Sequence, residues 1–346
     1  MAEALYRKYR PQKFSEVVGQ EHIVSLLEAG VKNGQTAHAY LFTGTRGTGK
    51  TSVARILARA LGCVPEDLVE IDAASNTGVD DIRELQEGVR TLPFRSPVKV
   101  YIIDEVHMLS KNAFNALLKT LEEPPAHVVF ILATTEVHKV PETIASRCEV
   151  YHFKSPTVET LTKVLTKIAK SEELKLGRGV AELLAMLGDG SFRDAIGNLQ
   201  KVANISGDKE ITLAEAEQVT NTPAEAKVWE IIEAVAASNL DVALKLVQEA
   251  VADGKDTRSL LKLLIRNVRL VMLYGFSTPL RAELAAGAGE DVAAKLKALS
   301  GSKDNLTRWP SVLRELLQAY LETYATAVPS LPLELALIKI LTITNK

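Results

Sequence analysis

The fold of the first half of the chain is decided by the stretch Gly44-Thr45-Arg46-Gly47-Thr48-Gly49-Lys50-Thr51. It fits the pattern G-x-x-x-x-G-K-[ST] and lies between an apolar run, residues 39–43, and a helical pattern, residues 51–61. Glycines let backbone N–H groups turn inward around phosphate oxygens, and the N-terminus of the following helix adds partial positive charge. We therefore predict a nucleotide site on residues 44–51, in which Lys50 reaches the β- and γ-phosphates and the Thr51 hydroxyl binds Mg²⁺.

The apolar runs on either side of this stretch predict a parallel sheet. The runs occupy residues 39–43, 68–71, 98–103, 128–133 and 149–153. Helical patterns alternate with them, at residues 51–61, 81–89 and from the predicted cap Ser110 to Pro124. Strand–helix alternation of this kind builds a parallel sheet with helices on both faces. The predicted fold class is therefore an α/β core.

The second half of the chain carries a different pattern, and we expect no strand after about residue 155. Residues 156–220 are predicted to form short helices with glycine turns, and residues 221–346 are predicted to be entirely helical. Long amphipathic patterns lie at residues 224–237, 240–252, 257–274 and 313–325. The predicted domains are a nucleotide-binding core (1–155), a helical lid (156–220) and an all-helical domain (221–346).

Composition excludes several classes of protein. The 346 residues include 41 Lys+Arg and 43 Asp+Glu, a net charge of -2, so bulk positive charge does not supply nucleic-acid affinity. The 47% hydrophobic content is typical of a soluble globular protein. Residues 1–62 nevertheless carry a net charge of +5, which indicates either contact with a polyanion or a solvated basic surface. Charge alone leaves both interpretations open.

The cysteines and the start of the chain favour a cytoplasmic protein. Cys63 and Cys148 form no disulfide framework and cannot supply a four-thiolate zinc site. The start Met1-Ala2-Glu3-Ala4 lacks the basic and apolar regions of a signal peptide. The apolar stretch at residues 260–273 contains three basic residues, so we do not expect it to span a membrane.

An acidic pair follows the third predicted strand. Asp104 and Glu105 lie at the carboxyl edge of the sheet, where open α/β sheets bind ligands. We predict that Asp104 holds Mg²⁺, largely through water, and that Glu105 polarises the attacking water. The tetrapeptide Asp104-Glu105-Val106-His107 also has the D-E-x-H form of some helicases, so an ATP-driven helicase or branch-migration motor is an alternative.

Thr134 and Arg147 are further candidates for the nucleotide site. Thr134, which we favour over Thr135, follows a buried strand, and its hydroxyl can contact the γ-phosphate or the lytic water. Arg147, in Ser146-Arg147-Cys148, lies too far along the sheet edge to reach its own phosphate easily. In a ring-like assembly it would act in trans on a neighbour's nucleotide, as an arginine finger does. The alternative is an ordinary surface arginine.

Arg193 begins a helix in the predicted lid. The stretch Gly190-Ser191-Phe192-Arg193-Asp194-Ala195 places Ser191 at the N-cap and Arg193 in the first turn. From there Arg193 can point back to the nucleotide and couple the position of the lid to the bound state. A salt bridge at the helix start is the alternative.

Together these motifs resemble those of clamp-loader ATPases of the AAA+ class. Tyr6-Arg7-Lys8-Tyr9-Arg10-Pro11, followed by Val18-Gly19-Gln20, resembles the N-terminal segment with which that family wraps the adenine. The resemblance therefore implies adenine contacts by Tyr9, Arg10 and Val18. Residues 114–125, which end in Leu-Glu-Glu-Pro-Pro, resemble the bacterial branch of the family, which serves DNA polymerase III.

The resemblance implies an ATPase that uses ATP and Mg²⁺, with Lys50 and Glu105 as catalytic residues. It implies a pentameric arc of several copies with delta and delta-prime type subunits, held together by residues 221–346. ATP binding would open a ring-shaped sliding clamp, and hydrolysis would release it on primer-template DNA at replication forks. The resemblance implies no contact of the protein with a membrane. Contacts with DNA near Asn76, Thr77 and Arg83 are a further expectation.

Two departures from the family pattern limit the resemblance. The four-cysteine zinc insert of the family is missing except for Cys63, so no zinc is expected. Archaeal and eukaryotic clamp-loader small subunits also lack that insert, and they remain an alternative. The sequence ends after the helical region, as in the short form of the family. A third hypothesis is a clamp-loader subunit that does not hydrolyse ATP. The presence of Lys50 and Glu105 argues against it.

Overall fold

The computed structural model describes residues 3–75, 85–206, 209–287, 290–301 and 303–342. The chain divides into two compact units, Met1–Ile211 and Thr212–Lys346. The finer division into core, lid and all-helical domain stays a prediction. Within the described ranges, no helix is both long enough and apolar enough to cross a membrane.

A five-stranded parallel sheet forms the centre of the first unit, and this confirms the predicted fold class. Its strands are β1 Ala39–Thr43, β2 Leu68–Asp72, β3 Lys99–Asp104, β4 Val128–Thr134 and β5 Glu149–His152. They lie in the order β2-β3-β4-β1-β5. Because β4 lies between β1 and β3, the segments that follow these three strands meet at one edge of the sheet.

Helices cover both faces of this sheet. Helices of the first unit are α1 Leu5–Lys8, α2 Glu21–Lys32, α3 Lys50–Ala60, α4 Lys111–Glu122, α5 Glu142–Ala145, α6 Val158–Ser171, α7 Val180–Leu187 and α8 Phe192–Ile205. Residues 85–89 are helical too, and the rest of the helix predicted at 81–89 lies outside the described residues. Helices α2 and α3 pack with Tyr40 and Phe42, whereas α4 and α5 pack with Leu41. Successive strand residues point to opposite faces, which explains why the three central strands β1, β3 and β4 are buried along almost their whole length.

The expectation that no strand follows residue 155 is wrong. Strands β6 Lys175–Leu176 and β7 Glu210–Ile211 pair in parallel. The pairing is extended by hydrogen bonds from Lys175 N to Lys209 O and from Gly177 N to Ile211 O. Two residues are too few to show the alternation of polar and apolar side chains by which a strand is predicted.

The second unit is helical throughout its described residues. Its helices are α9 Leu213–Val219, α10 Glu225–Ala236, α11 Leu240–Ala252, α12 Thr257–Phe276, α13 Thr278–Gly287, α14 Glu290–Ser300, α15 Lys303–Glu322 and α16 Leu331–Thr342. Helix α15 begins ten residues before the predicted start at 313, with Pro310 inside it. Proline disfavours helix in the residue before it. Here the neighbouring Trp309 and Val312 are buried in the core, and this packing outweighs the local preference.

Candidate nucleotide site

A cleft of about 190 Å³ lies in the first unit at the carboxyl edge of the sheet. Six segments line it: the N-terminal segment, the loop after β1, the start of α3, the end of β3, α6 and α8. The lining residues are Tyr6, Tyr9, Arg10, Pro11, Glu16, Val17, Val18, Arg46, Gly47, Thr48, Gly49, Lys50, Thr51, Ser52, Val53, Asp104, Glu105, Val164, Phe192, Arg193 and Ile196. The structure thus brings together most of the residues that the sequence predicts for the nucleotide.

The loop after β1 folds as it does because it needs glycine at three positions. Gly44, Gly47 and Gly49 have φ values of 144°, 74° and 102°, which side-chain-bearing residues rarely adopt. A Cβ on Gly47 would lie 1.9 Å from the Oγ of Ser191, the predicted N-cap of α8. Phe192 N also donates to Gly47 O at 2.9 Å. The phosphate-binding loop is therefore in direct contact with the start of α8.

Lys50 is a buried cation, and among the described residues no carboxylate forms an ion pair with it. Its Nζ donates to Gly44 O at 2.7 Å and to Thr45 O at 2.9 Å. Burial lowers the pKa of Lys50, although the nearby charges of Glu105 and Asp104 act in the opposite direction. Gly44 and Thr45 hold this lysine with their carbonyl groups and do not themselves line the cleft. An ammonium group bound only by neutral oxygens is well suited to exchange them for phosphate oxygens.

The residues predicted for Mg²⁺ are adjacent. Thr51 Oγ1 donates to Asp104 Oδ2 at 2.8 Å, and both residues line the cleft. The other carboxylate oxygen of Asp104 accepts from Glu105 N at 3.0 Å. Mg²⁺ prefers oxygen ligands and usually takes one or two from protein, with water and phosphate supplying the rest. The donor set at this edge fits that ion.

Glu105 is fixed by a residue from the neighbouring strand. It has a left-handed backbone with φ 49°, which is uncommon for a residue with a side chain. Its Oε2 accepts from Thr135 Oγ1 at 3.0 Å and from Thr135 N at 3.3 Å. The carboxylate therefore lies at the cleft and is anchored at the end of β4.

Thr134 points away from the cleft. Its side chain is fully buried, and its Oγ1 lies 3.0 Å from His107 Nδ1 and accepts from Glu136 N at 3.0 Å. Of the two neighbouring threonines, Thr135 is the one that contacts Glu105, although the sequence favours Thr134. A contact between Thr134 and the γ-phosphate stays a prediction.

Arginines give the cleft a positive lining. Arg10, Arg46 and Arg193 all reach it, and the guanidinium of Arg193 lies 5.6 Å from the ring centre of Tyr6. Burial, with the charges of Arg55 and Arg193, lowers the pKa of Arg10. Such crowding of cations favours a polyanionic ligand.

The N-terminal segment joins the cleft to α6. Tyr9 Oη donates to the carboxylate of Glu172, which raises the pKa of Tyr9, and Lys8 Nζ lies 2.7 Å from the same group. Tyr9 and Val18 line the cleft beside Arg10, where the sequence places adenine. The lining residues that the sequence did not predict are Tyr6, Pro11, Glu16, Val17, Ser52, Val53, Val164, Phe192 and Ile196. Tyr6 lies in the N-terminal segment that resembles the clamp-loader family, so the sequence carries a signal for it. Val164, Phe192 and Ile196 reach the cleft because of how α6 and α8 pack, and local sequence carries no signal for that.

Arg147 lies outside the cleft. Its terminal nitrogens donate to Glu122 Oε1 and to Thr143 O, each at 2.7 Å. Its action on a neighbouring chain stays a prediction. Burial raises the pKa of the adjacent Cys148 thiol to about 12, so this thiol is not a nucleophile at neutral pH. Asn76, Thr77 and Arg83, where DNA contact is expected, lie outside the described residues.

Sequence comparisons relate the chain to replication proteins. A family described as "DNA polymerase III, delta subunit" matches residues 19–77 and 65–157. The tau subunit of DNA polymerase III from Bacillus subtilis is 43% identical over 79% of this chain and 52% of the relative. That of Escherichia coli is 40% identical over 84% and 47%. The gamma/tau subunit of Mycobacterium bovis is 34% identical over 98% and 62%. The chain thus spans about half the length of the first of these relatives.

Solved structures share the fold. The Holliday junction branch migration motor RuvB of Thermotoga maritima has a TM-score of 0.53, with 22% identity over 66% of this chain and 79% of that chain. A variant of the same motor has a TM-score of 0.53 over 88% and 92%. This likeness shows the fold alone, and it agrees with the predicted α/β core of a parallel sheet with flanking helices.

Proposed function

The chain is a homologue of the DNA polymerase III gamma/tau subunits over most of its length, and from this premise we propose that it is an ATPase motor subunit of a clamp loader. The observation that carries the proposal is the joint placement of three groups on one cleft. These are the buried Lys50, the Thr51–Asp104 pair and the anchored Glu105. The proposed reaction is hydrolysis of ATP to ADP and phosphate.

Each of these residues has a proposed task. Lys50 exchanges its bonds to Gly44 O and Thr45 O for the β- and γ-phosphates, and Thr51 and Asp104 hold Mg²⁺. When bound, that ion neutralises charge on the phosphates. Glu105 orients the attacking water and accepts its proton.

The proposed task of the lid is to report the state of the nucleotide. Arg193 reaches the cleft from the first turn of α8, and the N-cap of that helix touches Gly47. A γ-phosphate bound between Arg193 and the loop would hold α8 against the core. Tyr9, Arg10 and Val18 are proposed to enclose the adenine on the other side.

We propose that hydrolysis needs a second copy of the chain. Arg147 does not reach the cleft of its own chain, so it would supply its guanidinium to the site of a neighbour. Helices α15 and α16 support assembly because both expose large apolar side chains. These and the segment between them contribute Leu317, Leu321, Tyr324, Val328, Leu331, Leu335 and Ile338.

The partners proposed are further copies of the chain, delta and delta-prime type subunits, a sliding clamp and primer-template DNA. ATP binding would tighten the assembly so that it opens the clamp, and DNA-stimulated hydrolysis would release the clamp closed around DNA. These partners follow from the relationship to the gamma/tau subunits, and the cleft supplies the ATP-dependent step.

The experiment that tests the proposal is an ATPase measurement on the reconstituted assembly. The rate is measured with the clamp alone, with primed DNA alone and with both. We expect the highest rate only when both are present. If the ATPase rate instead does not change when the clamp is added, and hydrolysis is accompanied by strand displacement, the protein is a helicase. Absence of bound ATP in a filter-binding assay would identify a subunit that does not hydrolyse.

A further inference from the structure

His107 is a buried histidine to which the proposed mechanism gives no task. It lies on the short 3-10 turn Val106–Met108 that follows Glu105, and its side chain is only 6% exposed. It is not among the residues that line the cleft. A polar ring kept out of water beside the hydrolytic carboxylate needs partners, since an unpaired buried polar group is costly.

Both ring nitrogens of His107 have polar partners on different segments. Nδ1 lies 3.0 Å from Thr134 Oγ1 and 3.5 Å from Glu105 Oε2. Nε2 lies 3.4 Å from Glu136 Oε1. The imidazole is rigid, so it sets the separation between the carboxylate at the end of β3 and the one after β4.

The far end of this bridge is itself fixed. Lys139 Nζ lies 2.8 Å from Glu136 Oε2, and its hydrogen bond lowers the pKa of Glu136. Glu136 N donates to the buried Thr134 hydroxyl at 3.0 Å. Glu136 is therefore a charged anchor whose backbone and side chain are both held.

We propose that His107 is a positioning residue that holds Glu105 at the orientation needed to activate water, by tying it to Thr134 and Glu136. This inference rests on the proposed ATPase function. Because His107 stands outside the cleft, its removal changes the rate of the chemical step and leaves nucleotide affinity nearly unchanged. A mobile Glu105 spends less time aligned with the water, and misalignment of this kind lowers kcat.

The test compares three variants of the full chain in the reconstituted assembly. We expect His107→Ala to lower kcat for ATP at least about tenfold while KM and the Kd for ATP stay within about twofold. His107→Asn places an amide nitrogen near the position of Nδ1 and should recover most of the rate. His138→Ala is the matched control, because His138 is 74% exposed and approaches Glu136 at 3.7 Å without reaching Glu105. It should leave kcat unchanged.

Three results would overturn the inference. They are an unchanged kcat in His107→Ala, a loss of ATP affinity as large as the loss of kcat, or a kcat of His107→Asn as low as that of His107→Ala. Melting temperatures of all variants show whether the fold is kept, and the Asn variant provides the test if His107→Ala does not fold. The ratio of variant to wild-type rate is measured also without clamp and DNA. A ratio near one would contradict the role of His107. Failure of clamp and DNA to stimulate the wild type would contradict the proposed function, so the two failures can be told apart.

Discussion

The polar side chains beside the cleft of the first unit differ from a buried amide in the core of the second unit. Beside the cleft of the first unit, buried polar side chains are bonded: Lys50 donates to two carbonyls, and the amide of Gln20 pairs with both backbone groups of Lys154. In the second unit the amide of Asn267 is buried, and within the described residues neither of its polar atoms has a partner. In the same unit, helices α15 and α16 expose several large apolar side chains, among them Leu321.

This difference indicates a separate role for each unit. Burying polar groups is costly unless each is bonded, so a unit that buries several around one cleft is organised for chemistry. Leaving a row of leucines in water is costly too, and such a surface is typical of contact with another protein. The predictions below test each side of this comparison.

The largest effect is expected for Lys50→Ala. Removal of the buried cation takes away the contact with the β- and γ-phosphates, so ATP binding should weaken by at least about a hundredfold, a loss of about 3 kcal/mol. Calorimetric titration with ATP and Mg²⁺ measures it. The melting temperature should not fall, because burial lowers the pKa of Lys50 and the cation is not a source of stability.

The control for this variant is Lys32→Ala, which removes an exposed lysine paired with Glu28 in the same unit. Its ATP affinity should equal that of the wild type. If the Kd of Lys50→Ala for ATP stayed within about threefold of the wild-type value, the first unit would bind nucleotide without its buried cation. That result would contradict the role given to the bonded polar groups of the cleft.

The next largest effect is expected for Arg147→Ala, which tests whether the chemistry of the first unit is complete in one chain. ATP binding should stay normal, whereas hydrolysis by the assembly should fall by at least about a hundredfold, as arginine fingers are worth even more. Steady-state rates in the reconstituted assembly measure it. Mixing this variant with Lys50→Ala subunits should restore part of the rate, because a Lys50→Ala neighbour still offers Arg147. An equal loss in the isolated chain would exclude action in trans.

How much of the site the sequence predicts depends on the distance between the residues involved. The phosphate-binding loop was predictable because Gly44, Lys50 and Thr51 lie within eight positions and their spacing itself specifies the turn. The anchoring of Glu105 by Thr135 was not, because the two residues are 30 positions apart. They meet only because β4 pairs with β3, and strand order is a property of the whole sheet.

The helices show the same limit. Ser110 and Ser191 were predicted as N-caps from local sequence, and each accepts the backbone N–H three residues on. Helix α15 begins ten residues before the predicted start, because Pro310 disfavours helix locally while the burial of Trp309 in the core of the unit decides the outcome. Local rules therefore predict caps and loops, and packing decides boundaries and contacts.

A smaller effect is expected for Leu321→Glu, which tests the second unit as an association surface. A charge placed among the exposed apolar residues of α15 and α16 should weaken self-association about tenfold, since it must be desolvated at the interface. Sedimentation velocity over a range of concentrations measures it. Leu26→Glu is the matched control, because Leu26 is a similarly exposed leucine on α2 of the first unit. Equal association by both variants would show that α15 and α16 are not the contact.

The smallest effect is expected for Asn267→Leu, and it is an increase in stability. The two side chains share the same branched arrangement of four heavy atoms, and the change removes two buried polar atoms that lack a hydrogen bond among the described residues, so unfolding should cost about 1 kcal/mol more. Urea denaturation followed by circular dichroism measures it. Asn239→Leu is the control of opposite sign, because Asn239 caps α11 by accepting from Val242 N and its loss should cost about 1 kcal/mol. If Asn267→Leu were instead destabilised, the amide would have a polar partner, and this site in the second unit would resemble the cleft of the first unit in bonding its buried polar groups.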